Sequence, residues 1–184
     1  RVKRNRGAAG IDAITLAAPG DAQAWLTRAT VQTVQGDYDG ATKSCARLSA
    51  LASQLASFAC LGNVAGVSGR LAASERLLDQ ALARNADAPA DEQAWVLTLL
   101  AEMATRRGDP AVADARYQRA LSISPRDSYL LGAYADFLLD QKRPHEAAGL
   151  LRGHRRIDAL LLRYALAVRQ QAGRNTELAA AMKE

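Results

Sequence analysis

Residues 94–127 read AWVLTLLAEMATRRGDPAVADARYQRALSISPRD, and this stretch decides the fold. Leu97, Leu100 and Ala101 recur at three- and four-residue spacing, and so do Ala113, Tyr117, Ala120 and Leu121. Each half is therefore an amphipathic helix. Between them, Gly108-Asp109-Pro110 is a stop followed by a start. Gly takes the positive φ that ends a helix cheaply, and Pro fits the first turn of the next one. The phrase recurs along the chain. Gly36-Asp37-Tyr38 precedes Ala41, Gly69-Arg70-Leu71 precedes Ser74, Lys142-Arg143-Pro144 precedes Ala147, and Gly173-Arg174-Asn175 precedes Leu178. Their first positions lie 33, 39, 34 and 31 residues apart. A repeated unit of about 34 residues predicts a helical solenoid.

The same periodicity predicts helices over 25–35, 41–51, 55–68, 71–84, 92–107, 111–122, 129–141, 145–152, 159–172 and 176–183. No segment alternates convincingly as a strand would. Asp21 follows Pro19-Gly20, Asp91 follows Pro89, and Asp127 follows Pro125. In each case Pro stops the preceding helix and a carboxylate is positioned to cap the next. An insertion around residues 87–91 lengthens one connection.

In this register the chain resembles the tetratricopeptide repeat family, with two antiparallel helices, A and B, per repeat. Residues 94–127 carry its pattern as Leu97, Leu100, Ala101, Gly108, Ala113, Tyr117, Ala120, Leu121 and Pro125. Residues 55–88 give Phe58, Leu61, Gly62, Gly69, Leu71, Leu78, Ala81 and Leu82. Residues 22–54 give Trp25, Ala29, Gly36, Tyr38 and Ala41, and residues 128–158 give Leu131, Tyr134, Ala135, Leu138, Ala147 and Leu151. A half repeat is read over 11–21 and a partial one over 159–184, after a basic tail over 1–10. The resemblance implies an all-α, right-handed solenoid of antiparallel helix pairs, forming one array over 11–184. Ala29, Gly62, Ala101 and Ala135 would be the close-approach positions of the A helices.

Composition agrees. Half the residues are apolar but only 5% are aromatic, so the apolar content is mostly small side chains suited to close helix contacts. Apolar runs are too short and too often interrupted to span a membrane. The net charge is +5, and Arg1, Lys3, Arg4 and Arg6 supply four of those charges. The high pI is thus largely a property of the tail, read as a solvated segment. A second basic cluster, Arg152, His154, Arg155 and Arg156, has no interleaved aromatics. Nucleic-acid binding is not expected. The chain begins without Met, consistent with processing or with a piece of something longer.

Nothing in the sequence indicates an enzyme. His145 and His154 have no metal-ligand spacing to a Cys or carboxylate, and no phosphate loop or nucleophile elbow is present. Gly62, Gly66 and Gly69 fall in a helix and its turn. No cofactor, metal or catalytic residue is expected. Cys45 and Cys60 fall on helices that the family's stacking places side by side. They read either as two buried thiols or as a disulfide; the second reading, with the missing Met, leans toward an extracytoplasmic location over a cytoplasmic one.

The resemblance also implies a concave surface lined by the A helices. By register it carries Asn63, Trp95, Glu102, Arg106, Tyr129, Asp136, Asp140 and Arg163. Trp95 and Tyr129 occupy equivalent positions in successive repeats, either as a two-site platform for a peptide or as padding of the seam between repeats. Glu102, Asp136 and Asp140 make the surface partly acidic, favouring a basic or neutral ligand. The family's peptide clamp holds a C-terminal carboxylate with Lys, Asn and Arg. Here only Asn63 matches in type, while Thr98, Glu102 and Asp136 occupy other groove positions. The expected function is a non-catalytic scaffold or adaptor of a bacterial-type complex that grips a protein or peptide in a groove. The alternative is a structural or oligomerisation module that stacks on another copy.

Overall fold

The computed structural model describes residues 19–154 and 158–181. The basic tail, residues 11–18 of the half repeat, and Arg155 and Arg156 lie outside the described residues. Among the described residues the chain is all-α, with no strand. Its contacts gather into two compact units, one ending at Ala88 and one beginning at Pro89.

The first unit holds α1 (Ala22–Val34), α2 (Tyr38–Arg47), a 3-10 turn (Leu48–Ala50), α3 (Gln54–Val67) and α4 (Leu71–Arg84). Helices α1 and α2 form one hairpin, α3 and α4 a second, and α2 packs on α3. The second unit holds α5 (Ala90–Arg107), α6 (Pro110–Ile123), α7 (Ser128–Asp140), α8 (Pro144–Leu151) and α9 (Asp158–Ala181). Here α5 pairs with α6 and α7 with α8, while α9 packs on both α7 and α8.

The recurring phrase has a conformational cause. Gly36, Gly69, Gly108 and Lys142 have φ of 79°, 95°, 81° and 56°, and each follows an A helix. Each turn closes with the same bond, in which an amide reaches back five residues. Asp37 N donates to the Gln32 carbonyl at 2.9 Å, Arg70 to Ala65 at 2.9 Å, Asp109 to Ala104 at 3.0 Å, and Arg143 to Leu138 at 2.8 Å. This satisfies carbonyls that the helix end would otherwise leave open. The small residue that ends each phrase is buried: Ala41, Ser74, Ala113 and Ala147 are at most 1% exposed. A small side chain there lets helix B approach helix A. Ser74 keeps the size and satisfies its hydroxyl by donating to the carbonyl of Gly62.

The helix-A positions behave in the same way, with Ala29, Gly62, Ala101 and Ala135 all buried. A Cβ on Gly62 would come within 2.6 Å of Leu78 Cδ2, so Gly makes room for a fully buried leucine. Leu131, Ala135, Leu151 and Leu160 form a core among α7, α8 and α9.

Several boundaries differ from the sequence expectation. The helix predicted over 41–51 gives way at Leu48 to a 3-10 turn. Asp21, Asp37, Asp109 and Asp127 cap α1, α2, α6 and α7 through their carboxylates. Asp91, expected to cap its helix, instead lies inside the first turn of α5, which begins at Ala90 directly after Pro89. There it faces the positive end of the helix dipole without capping an amide. The largest difference is at Gly173-Arg174-Asn175. The helices predicted over 159–172 and 176–183 are one helix, α9, that runs through this phrase. An interior Gly costs a helix only about 1 kcal/mol, and this phrase has neither a Pro nor a capping Asp to enforce a break.

Candidate functional site

A groove crosses the second unit along its A-type helices. From α5 it takes Glu102, Thr105 and Arg106, and from α7 Ala133, Asp136, Phe137 and Asp140. The first set has i, i+3, i+4 spacing and the second i, i+3, i+4, i+7, so each is one face of its helix. Together with Tyr117 of α6 they enclose about 310 Å³. A neighbouring cavity of about 350 Å³ shares Glu102, Ala133 and Asp136 and adds Tyr129, Gly132, Leu160 and Arg163 among others. The floor is aromatic. Tyr117 stacks on Tyr134 with centroids 5.0 Å apart and contacts Phe137 at 5.3 Å.

Two polar links cross the groove. The Tyr129 hydroxyl donates to Glu102 Oε1 at 2.7 Å. Arg163 grips Asp136 with two bonds, Nε to Oδ1 at 2.8 Å and Nη2 to Oδ2 at 2.6 Å. Both links span 27 residues, so they are the same contact one repeat apart, made with different chemistry. Gly132 lies beside the second, and a Cβ there would meet the Arg163 guanidinium at 3.5 Å, an ordinary contact.

The electrostatics follow from burial. Desolvation raises the Glu102 pKa above the ordinary carboxylate range, partly opposed by the Tyr129 bond and by Arg106. The Tyr129 hydroxyl is pushed up by desolvation and by the adjacent Glu102 charge, so it stays a donor. Its ring nevertheless presents a face to solvent, 47% exposed. Behind the groove the Tyr134 hydroxyl donates to Asp114 at 2.8 Å, and Arg143 bridges Asp114 at 3.1 Å and Glu146 at 2.6 Å. Burial raises the Tyr134 pKa to about 12.

Of the residues singled out from sequence, Glu102, Arg106, Tyr129, Asp136, Asp140 and Arg163 come together here. Trp95, half-buried on α5, lines neither cavity. Asn63 is half-buried on α3 in the first unit. Thr98 is fully buried and returns its hydroxyl to the Ala94 carbonyl at 2.8 Å, so it is not a groove residue. The sequence reading misses Gly132 and Phe137. Phe137 is one residue beyond Asp136 on the same face, and the helical period alone could have found it. Among the described residues no group of three or more His, Cys, Asp or Glu is placed to hold a metal, and no helix is long and apolar enough to cross a membrane.

In the first unit Cys45 of α2 and Cys60 of α3 are joined as a disulfide, with Cα atoms 5.5 Å apart. Both are buried. Two guanidinium groups approach the Trp25 ring of α1, Arg28 at 5.4 Å and Arg47 at 5.5 Å from its centre.

Antiparallel helix pairs in a 34-residue register, with a groove along one set of helices, define a helical-repeat fold. The tetratricopeptide repeat family model matches residues 54–126, the stretch that holds the second and third helix pairs. The fold is similar to that of TTC0263, a thermophilic TPR protein in Thermus thermophilus, with 20% identity, a TM-score of 0.67, and coverage of 86% of this chain and 88% of that one. It is also similar to MamA, with 14% identity, a TM-score of 0.54 and 88% of each chain covered. YrrB, a TPR protein with an unusual peptide-binding site, gives 15% identity and a TM-score of 0.50 over 90% of this chain and 86% of that one. No curated protein matches the sequence. Tetratricopeptide repeat proteins are generally scaffolds for protein interaction and generally non-catalytic.

Proposed function

We propose that this protein is a non-catalytic adaptor that holds a peptide or helix of a partner in the groove of its second unit. One observation carries the reading. Two adjoining cavities, lined by one face each of α5 and α7, combine an aromatic floor with a rim of Glu102, Arg106, Asp136, Asp140 and Arg163. Concave, mostly apolar surfaces with a few placed polar groups are where ligands bind.

The test is selection of a random displayed peptide library on the full chain. Peptides enriched on the wild type are expected to lose about tenfold or more in affinity on Tyr129→Ala and on Ala133→Trp, which fills both cavities. Unchanged binding by both variants, with native helicity, would overturn the groove assignment.

A structural or oligomerisation role is the second reading. Leu161, Leu162, Leu166 and Val168 of α9 are 44%, 74%, 45% and 42% exposed. Such an apolar strip is suited to burial against a second copy. Light scattering of wild type and Leu162→Asp separates the readings: a wild-type monomer at high concentration removes this one.

A further inference from the structure

The groove contains five charged side chains, three acidic and two basic, so one negative charge is in excess. Arg163 neutralises Asp136 through two hydrogen bonds. Arg106, one turn along α5 from Glu102, attracts the Glu102 charge and bonds its backbone carbonyl at 3.3 Å. Asp140 is left over. It lines the α5–α7 cavity and makes no hydrogen bond or ion pair among the described residues. One negative charge at the mouth of a cavity floored by Phe137, Tyr117 and Ala133 is the complement of a particular shape. That shape is an apolar stem ending in a single cation.

We infer that the α5–α7 cavity is a subsite for one Arg or Lys side chain of the bound peptide. The stem lies over Phe137 and Ala133, and the guanidinium or ammonium group meets Asp140. This rests on the peptide-binding reading above and names the residue class that reading leaves open. The geometry suits it. An extended Arg or Lys side chain covers apolar surface with its methylenes while its head stays wet at the rim. Arg106 approaches from the opposite wall but is engaged by Glu102, so it lessens the attraction without reversing it. An acidic side chain would meet the Asp140 charge, and a purely apolar one would leave Asp140 as it is.

The experiment uses the same peptide selection on the full chain, with Asp140→Asn added. Asp140 is exposed, and the amide is isosteric, so the fold is retained. Groove-dependent peptides, those lost on Ala133→Trp, are expected to be enriched in one basic position. Their affinity should fall about fivefold or more on Asp140→Asn, and weaken as salt rises. Replacing that Arg by citrulline, or that Lys by norleucine, should weaken wild-type binding by a similar factor and leave binding to Asp140→Asn nearly unchanged. Groove-dependent peptides without an enriched basic residue, or with affinity for Asp140→Asn within about twofold of wild type, would overturn the subsite while leaving the adaptor reading intact. Selection that yields no groove-dependent peptide would overturn the adaptor reading and the subsite with it.

Discussion

Glycine chemistry makes the turns legible residue by residue. Gly36, Gly69 and Gly108 sit at positive φ, which the sequence can announce because few other residues accept it. Lys142 adopts the same conformation without being Gly, and only its place in the register marks it. Gly62 is legible as a small residue but not as the seat of Leu78. Gly62→Ala is expected to cost about 1–3 kcal/mol through overpacking, read as a lower melting temperature; no loss would show that Leu78 can move aside. The links Glu102–Tyr129 and Asp136–Arg163 are not legible, because a 27-residue separation carries no local signal. Glu102 also gives a pH prediction. Its pKa is raised in the folded state, so its charged form opposes folding once the pH exceeds that raised value, whereas below the ordinary glutamate range it does not. Glu102→Gln should therefore melt at a higher temperature than wild type at pH 7.5, and the difference should shrink as the pH falls toward 4. An equal or larger gain at low pH would contradict the assignment.

At the scale of helices, the sequence locates A and B segments well because burial follows the 3.6-residue period. It locates their ends less well where capping and tertiary contact compete. The clearest example is α9, where Gly173 reads as a turn and is helix. With open space around Gly173, Gly173→Ala should raise helicity and stability by up to about 1 kcal/mol, measured by circular dichroism melts. A fall in stability would point back to a break there. The Cys45–Cys60 bond ties α2 to α3 across 15 residues of chain, which include the 3-10 turn after Arg47. Closing a loop of that size removes enough unfolded-state freedom to stabilise by about 3 kcal/mol. Reduction, or Cys45→Ser with Cys60→Ser, should lower stability by about that amount in denaturant melts.

At the scale of the whole molecule, the two tryptophans fall one in each compact unit, Trp25 in the first and Trp95 in the second. Single-tryptophan variants, Trp95→Phe and Trp25→Phe, can therefore report each unit by fluorescence. Reductant is expected to shift the Trp25 transition more than the Trp95 transition, because the disulfide belongs to the first unit. Equal shifts would mean that the disulfide stabilises both units alike. The sequence by itself determined the repeat: its period, its helix pairs, the glycines of its turns and the small residues of its seams. Those properties are local, set by backbone sterics and by the helical period. Only the tertiary structure decided which groove residues are already engaged. Asp136 reads in the sequence as an available acid, and Arg163, from the next A-type helix, sits on it. Charge is written in the sequence, but compensation depends on distance, and distance between residues far apart in the chain is set only when the helices pack.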